Sequence, residues 1–151
     1  MKVQEILSQD CVLSDFLTKM IDDEAKLQGI KDDSSSFVFI IRDDDGNIIA
    51  GCNGAAVYGA IYTDQLWVHR DYRKRGLARL LMDRVHNLGK KLNCGLATVC
   101  TMNFQHALDF YLRLGYFCDF TRPGFANGST CLFLQKDLGQ EEAHEAENAA
   151  P

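Results

Sequence analysis

The chain has 151 residues, 46% of them hydrophobic and 25% charged, with a net charge of −5. That length suits one domain with a real core. The acidic balance lacks the broad basic surface usual in nucleic-acid binders, so no nucleic acid is expected. No apolar run is long enough to span a membrane. The first residues carry early acids and no sustained apolar stretch, so no secretory signal is expected and the cytoplasm is the expected compartment.

In chain order, residues 1–7 form a brief strand or a ragged end. Ser14 is placed to cap a helix running to about Leu27, with Phe16, Leu17, Met20, Ile21 and Leu27 on its apolar side. Residues 37–41 are a strand, and Asp43-Asp44-Asp45-Gly46-Asn47 is a hairpin turn, since Asp-Gly and Gly-Asn tolerate positive φ. Residues 48–51 begin the return strand. Tyr58-Gly59 turns the chain into residues 60–64, which run on into the bulky strand Gln65-Leu66-Trp67-Val68.

A cationic turn, 69–75, then leads into a helix starting near Gly76, with Leu77, Leu80, Leu81, Val85 and Leu88 as its apolar stripe. Residues 96–102 are a buried strand, and a long helix between two strands predicts a crossover between parallel neighbours. A second helix, 105–114, stops at Gly115. Strands over 116–120 and 130–135 form a last hairpin. Residues 1–138 form one domain, and the acidic residues 139–151 are a disordered tail or a frayed helix.

Six cysteines are present: Cys11, Cys52, Cys94, Cys100, Cys118 and Cys131. None forms C-x-x-C and none stands in zinc spacing with a histidine, so they are read as reduced, mostly buried thiols, and no metal is expected. The charge is unevenly placed. Residues 70–91 hold eight of the sixteen Lys and Arg against two acids, Asp71 and Asp83. One local cationic band fits a single anionic ligand. Gly76 and Ala78 remove bulk at the first helical turn, where the backbone N–H groups have no intrahelical partner and the helix dipole favours an anion. A phosphate-bearing ligand is the simplest reading.

The sequence Arg73-Lys74-Arg75-Gly76-Leu77-Ala78, R-x-x-G-x-A after an apolar strand, resembles motif A of the GNAT superfamily of N-acetyltransferases. Some thirty residues on, Ala107-Leu108-Asp109-Phe110-Tyr111-Leu112-Arg113-Leu114-Gly115-Tyr116 is similar to that family's A-x-x-F-Y-x-x-x-G-F helix. The resemblance covers roughly residues 37–137. It implies a mixed α/β fold, a twisted and mostly antiparallel sheet with one parallel step, whose two central strands splay where the cofactor enters.

It also implies an acetyl-CoA-dependent acyltransferase acting on a primary amine of a small molecule or peptide, by direct transfer in a ternary complex. The loop Arg73, Lys74, Arg75, Gly76, Leu77 and Ala78 would hold the pyrophosphate. The backbone around Trp67 and Val68 would pair with the pantetheine arm, and N–H groups near Val68 would polarise the thioester carbonyl. Tyr111 would protonate the departing thiolate. The strand glutamate that many relatives use as base is absent, and Asp64, in step with Tyr62, is the candidate base, directly or through a water. The asparagine that many relatives place before the second motif is displaced here. Asn103 lies one residue early, to contact the cofactor or cap the helix, with Gln105 and His106 as further candidates. The resemblance allows a homodimer. A non-catalytic acyl-CoA-binding module and an anion- or nucleic-acid-binding domain are the rival readings.

Overall fold

The computed structural model describes residues 3–8, 10–30 and 34–139. Residues 3–7 form no strand, and the tail beyond Gly139 lies outside the described residues. Helix α1 spans Cys11–Leu27, β1 Ser35–Arg42, β2 Ile48–Val57 and β3 Ala60–Val68. Helix α2 spans Leu77–Lys91, β4 Leu96–Met102, α3 Leu108–Arg113, β5 Phe117–Arg122 and β6 Cys131–Asp137. The six strands lie in one sheet in the order β1-β2-β3-β4-β6-β5. Every neighbour pair is antiparallel except β3 and β4. The mixed sheet with one parallel step is therefore as expected.

The parallel pairing is short. It runs from Ala60 opposite Leu96 to Thr63 opposite Val99 and then stops, although β3 continues to Val68 and β4 to Met102. The two strands part beyond that point, which is the expected splay. On its other side β3 carries a bulge: Asn53 pairs with Gln65 and Gly54 with Thr63, leaving Asp64 as the extra residue. The bulge flips the side-chain phase. Before it, Ile61 and Thr63 are buried and Tyr62 is exposed; after it, Leu66 and Val68 turn inward.

Gly54 is what lets the bulge close. A Cβ there would overlap the Tyr62 carbonyl oxygen and crowd the Phe37 ring.

The core lies between the sheet and the helices α2 and α3. It gathers Ile61, Ala97, Val99 and Leu134 from the sheet, Leu81, Met82 and Val85 from α2, and Tyr111, Leu114 and Tyr116 from the second motif. The buried line of α2 differs from the predicted stripe. Leu80 is 48% exposed, while Met82, His86 and Gly89 face the sheet. Gly89 allows a close approach, since a Cβ there would press on Ile61 and Leu138. His86 is accommodated because its Nε2 is 2.9 Å from the Tyr116 hydroxyl. A stripe drawn through leucines alone misses a glycine chosen for closeness and a histidine chosen for its partner.

Two further boundaries differ. Asp10, not Ser14, caps α1, its carboxylate accepting from the Leu13 amide at 3.0 Å. No residue of α1 is buried, so the apolar side at Phe16, Leu17 and Ile21 is uncovered among the described residues. Helix α3 is shorter than expected. A 3-10 turn at Asn103–Gln105 precedes it, and His106 takes a left-handed conformation (φ 52°). The Gln105 side chain causes this, accepting from the Thr101 hydroxyl and the Met102 amide, both at 2.8 Å. Gly115 ends α3 at φ 87°, as expected.

This packing has two consequences for stability. Gly54→Ala should destabilise the fold by about 3 kcal/mol, the upper end for overpacking against rigid backbone, measurable by urea denaturation. Burial, helped by the Lys136 charge, lowers the His86 pKa to about 4. The unfolded imidazole titrates near ~6.5, so between that pH and about 4 the unfolded state holds more protons. Stability should fall as pH drops through this window, by up to about 3 kcal/mol. His86→Gln should flatten that slope in thermal melts taken from pH 7 to pH 4.

Candidate active site

The loop between β3 and α2 builds a cationic mouth. Lys74 (φ 62°) and Gly76 (φ 81°) both take left-handed backbone, which turns the chain sharply into the helix. Gly76 is the N-cap and offers no side-chain cap. The first helical bond runs from the Leu80 amide to the Gly76 carbonyl at 3.0 Å, so the amides of Leu77, Ala78 and Arg79 precede the hydrogen-bonded ladder. These residues line a cavity of about 550 Å³. Arg73, Lys74, Arg79 and Arg113 supply the cations of its wall, and Trp67, Val68 and Tyr111 stand along it. Unpaired amides, a helix N-terminus and four cations make a strong anion cradle.

The cations are not equivalent. The Arg73 Nε donates to the Val68 carbonyl at 3.1 Å, which ties the loop to the strand end. Arg75 turns back instead. Its guanidinium donates to the Asp71 carbonyl at 3.0 Å, sits over the Tyr72 ring at 5.0 Å, and does not line the cavity. Asn103 is also elsewhere: its side chain accepts from the Thr130 amide at 3.1 Å, and it caps no helix. Its neighbour Gln105 lines the cavity.

A second cavity, about 510 Å³, opens where β3 and β4 part. It shares Leu66, Trp67, Gln105, Ala107 and Tyr111 with the first and adds Thr63, Asp64, Cys100 and Thr101. The edge of β3 from Asp64 to Val68 that faces β4 has no strand partner. An extended ligand can add to such an edge through main-chain hydrogen bonds.

Tyr111 stands at the junction of the two cavities. Its ring packs edge-on against Phe110 and Tyr116, at 5.1 and 5.5 Å between centroids. Tyr111 is 5% exposed. Burial first, then the neighbouring Cys52 thiol, push its pKa up to about 12. It is therefore a protonated phenol at neutral pH, able to donate. Asp64 lies at the bulge in the second cavity, on the exposed face with Tyr62.

The model of the Acetyltransferase (GNAT) family matches residues 2–116. The chain belongs to that family. It is an acyltransferase, and the family uses acetyl-CoA. Solved structures share its fold. A protein assigned as an acetyltransferase from Agrobacterium tumefaciens superposes with a TM-score of 0.77 at 23% identity, over 91% of this chain and 99% of its own. An acetyltransferase from Bacillus cereus ATCC 14579 gives 0.72 at 19% identity, over 89% and 97%. A protein from Bacillus anthracis, assigned as a streptothricin acetyltransferase and solved with acetyl coenzyme A, gives 0.63 at 16% identity, over 73% and 66%. No curated protein matches the sequence.

The acetyltransferase thus brings Trp67, Val68, Arg73, Lys74, Gly76, Leu77, Ala78 and Tyr111 to one cavity, and Asp64 to the next. Gln105, a candidate from the sequence, joins them, as do Arg79 and Arg113, which the motifs do not mark. Arg79 is the more legible of those two, lying on the first turn of α2 just after Gly76. Gly76 itself stands in open space: a Cβ added there would meet no heavy atom within 4 Å. Gly76→Glu should therefore abolish acetyl-CoA binding by charge and obstruction, with a folding cost of only about 1–2 kcal/mol for left-handed backbone. Calorimetric titration alongside a thermal melt checks both halves.

Proposed function

We propose that this acetyltransferase moves the acetyl group of acetyl-CoA directly to a primary amine in a ternary complex. The observation that carries the reading is the shared wall of the two cavities. It joins the free amides of α2, the unpaired edge of β3 and the Tyr111 hydroxyl in one continuous space.

In this reading the amides of Leu77, Ala78 and Arg79, with Arg73, Lys74, Arg79 and Arg113, hold the pyrophosphate. The pantetheine arm extends along the free edge of β3, and an N–H near Val68 polarises the thioester carbonyl. The second cavity brings the amine to the thioester, and most of the rate gain comes from that proximity. Asp64, directly or through a water, takes a proton from the attacking nitrogen. The new C–N bond forms as the C–S bond breaks. The sulfur leaves with the electron pair and receives the Tyr111 proton, giving free CoA thiol and the amide. Tyr111 is then reprotonated from solvent.

The test is calorimetry with acetyl-CoA, followed by thiol release across a panel of amines. A protein that binds acetyl-CoA but releases no thiol with any amine would be a sensing module, and the transfer reading would be wrong. Tyr111→Phe should lower kcat about 100-fold, the usual scale for loss of a general acid, while acetyl-CoA affinity stays within a few-fold. Equal kcat in both proteins would reduce Tyr111 to a core aromatic.

A further inference from the structure

A third cavity, about 330 Å³, opens on the outer face of the sheet, opposite α2 and α3. It shares Thr63, Asp64, Val99 and Cys100 with the second cavity, so the two lie on either side of the point where β3 and β4 part. Tyr62, Asp64, Asp119 and Phe133 give it its character, and no Lys, Arg or His lines it among the described residues. We propose that this outer cavity takes the acceptor, and that the acceptor is a diamine. One nitrogen would stand at Asp64 for transfer, and a second, charged nitrogen would be held at Asp119. This rests on the acetyl-transfer reading above.

Both carboxylates are placed by the same device. Asp64 is the extra residue of the bulge between β2 and β3, and Asp119 is the extra residue of a bulge between β5 and β6, where Cys118 pairs with Leu134 and Phe120 with Phe133. Bulges re-aim side chains and gather near active sites. The Gln135 amide donates to Asp119 Oδ2 at 2.9 Å, which fixes the carboxylate and leaves Oδ1 to accept from a ligand. The ring of Tyr62 adds a face that attracts an ammonium group. Arg122 bounds the acidic region, its guanidinium over Phe120 and Phe133 at 5.5 and 5.3 Å.

An independent observation points to a polar ligand in the passage. Thr63 is only 4% exposed, and its Oγ1 is buried with no hydrogen-bond partner among the described residues; Thr98 Oγ1 is in the same position. Both threonines line the outer cavity, and Thr63 lines the second as well. A buried hydroxyl without a partner is costly, and a hydrogen-bonding ligand relieves that cost. An amino nitrogen entering between β3 and β4 passes Thr63 on its way to the thioester. An amino acid of the same length is disfavoured, because its carboxylate would meet two aspartates.

The test uses the whole protein, acetyl-CoA and three acceptors of equal length: butane-1,4-diamine, butylamine and 4-aminobutyrate. Thiol release is the readout, and acetyl-CoA binding is measured first by calorimetry. The expected result is a kcat/KM for the diamine at least about tenfold above butylamine, with the amino acid slowest. Asp119→Asn should bring the diamine's KM to within about threefold of butylamine's, with the change in KM rather than kcat. Equal turnover of diamine and monoamine, preference for the amino acid, or an undiminished diamine advantage in Asp119→Asn would overturn the acceptor proposal and leave acetyl transfer standing. Acetyl-CoA binding without acetylation of any of the three would overturn it too. Failure to bind acetyl-CoA at all would instead remove the reading beneath it. The wild-type comparison needs no variant, so a folding defect in Asp119→Asn cannot rescue the proposal.

Discussion

The architecture depends on a ladder that stops. β3 and β4 are held together only from Ala60 and Leu96 to Thr63 and Val99. Beyond those pairs β3 keeps β2 as its partner and turns its other edge to open space. A β-strand whose main-chain groups lack a neighbour is ordinarily a liability, since it invites any extended chain to pair with it. Here the same property leaves an edge that an extended ligand can join. The bulge at Asp64 falls within one residue of the parting point. It reverses the side-chain phase, so Leu66 and Val68 still pack inward while Asp64 faces out. Gly54, across the bulge, is the backbone concession that permits it.

The splay divides the molecule electrostatically. On the α2 side the walls carry Arg73, Lys74, Arg79 and Arg113. On the outer side the lining carries Asp64 and Asp119, with Arg122 at its border, stacked on Phe120 and Phe133. A cleft lined by one sign of charge concentrates ligands of the other. The two faces therefore differ in the charge of ligand they attract, and they adjoin where the strands part. Arg75 belongs to neither face. It is bound to the Asp71 carbonyl and stacked on Tyr72, so its work is to stiffen the turn before the cradle.

The two motif helices are also tied to each other. His86 of α2 pairs with the hydroxyl of Tyr116, and Tyr116 packs against Tyr111. The Tyr116 amide bonds back to the Tyr111 carbonyl at 3.1 Å. The orientation of Tyr111 thus rests on a buried polar pair that spans from α2 to the end of the second motif. Buried pairs of this kind are costly to break, since the partner left behind has no water to turn to.

The element order, the parallel step across α2, the anion cradle at Gly76 and the placement of Tyr111 were all legible along the chain. The first three follow from local chemistry: apolar period, glycine where left-handed backbone is required, cations beside a helix N-terminus; the place of Tyr111 came from the resemblance of its motif. Family motifs added the expectation of a splay. Long-range packing decided what local chemistry cannot. It brought Arg113 to the same cavity as Arg73, Lys74 and Arg79, whereas Arg75 is turned away by near neighbours, the Asp71 carbonyl and the Tyr72 ring. It held Asn103 at Thr130, while the start of α3 is broken locally, by the Gln105 side chain on Thr101 and Met102. It put His86 and Gly89 into the core, where pairing and closeness outweigh hydropathy. It also brought Asp64 and Asp119 onto one outer cavity. Both owe their places to bulges, and a bulge belongs to the register between two strands, which neither strand's own sequence spells out.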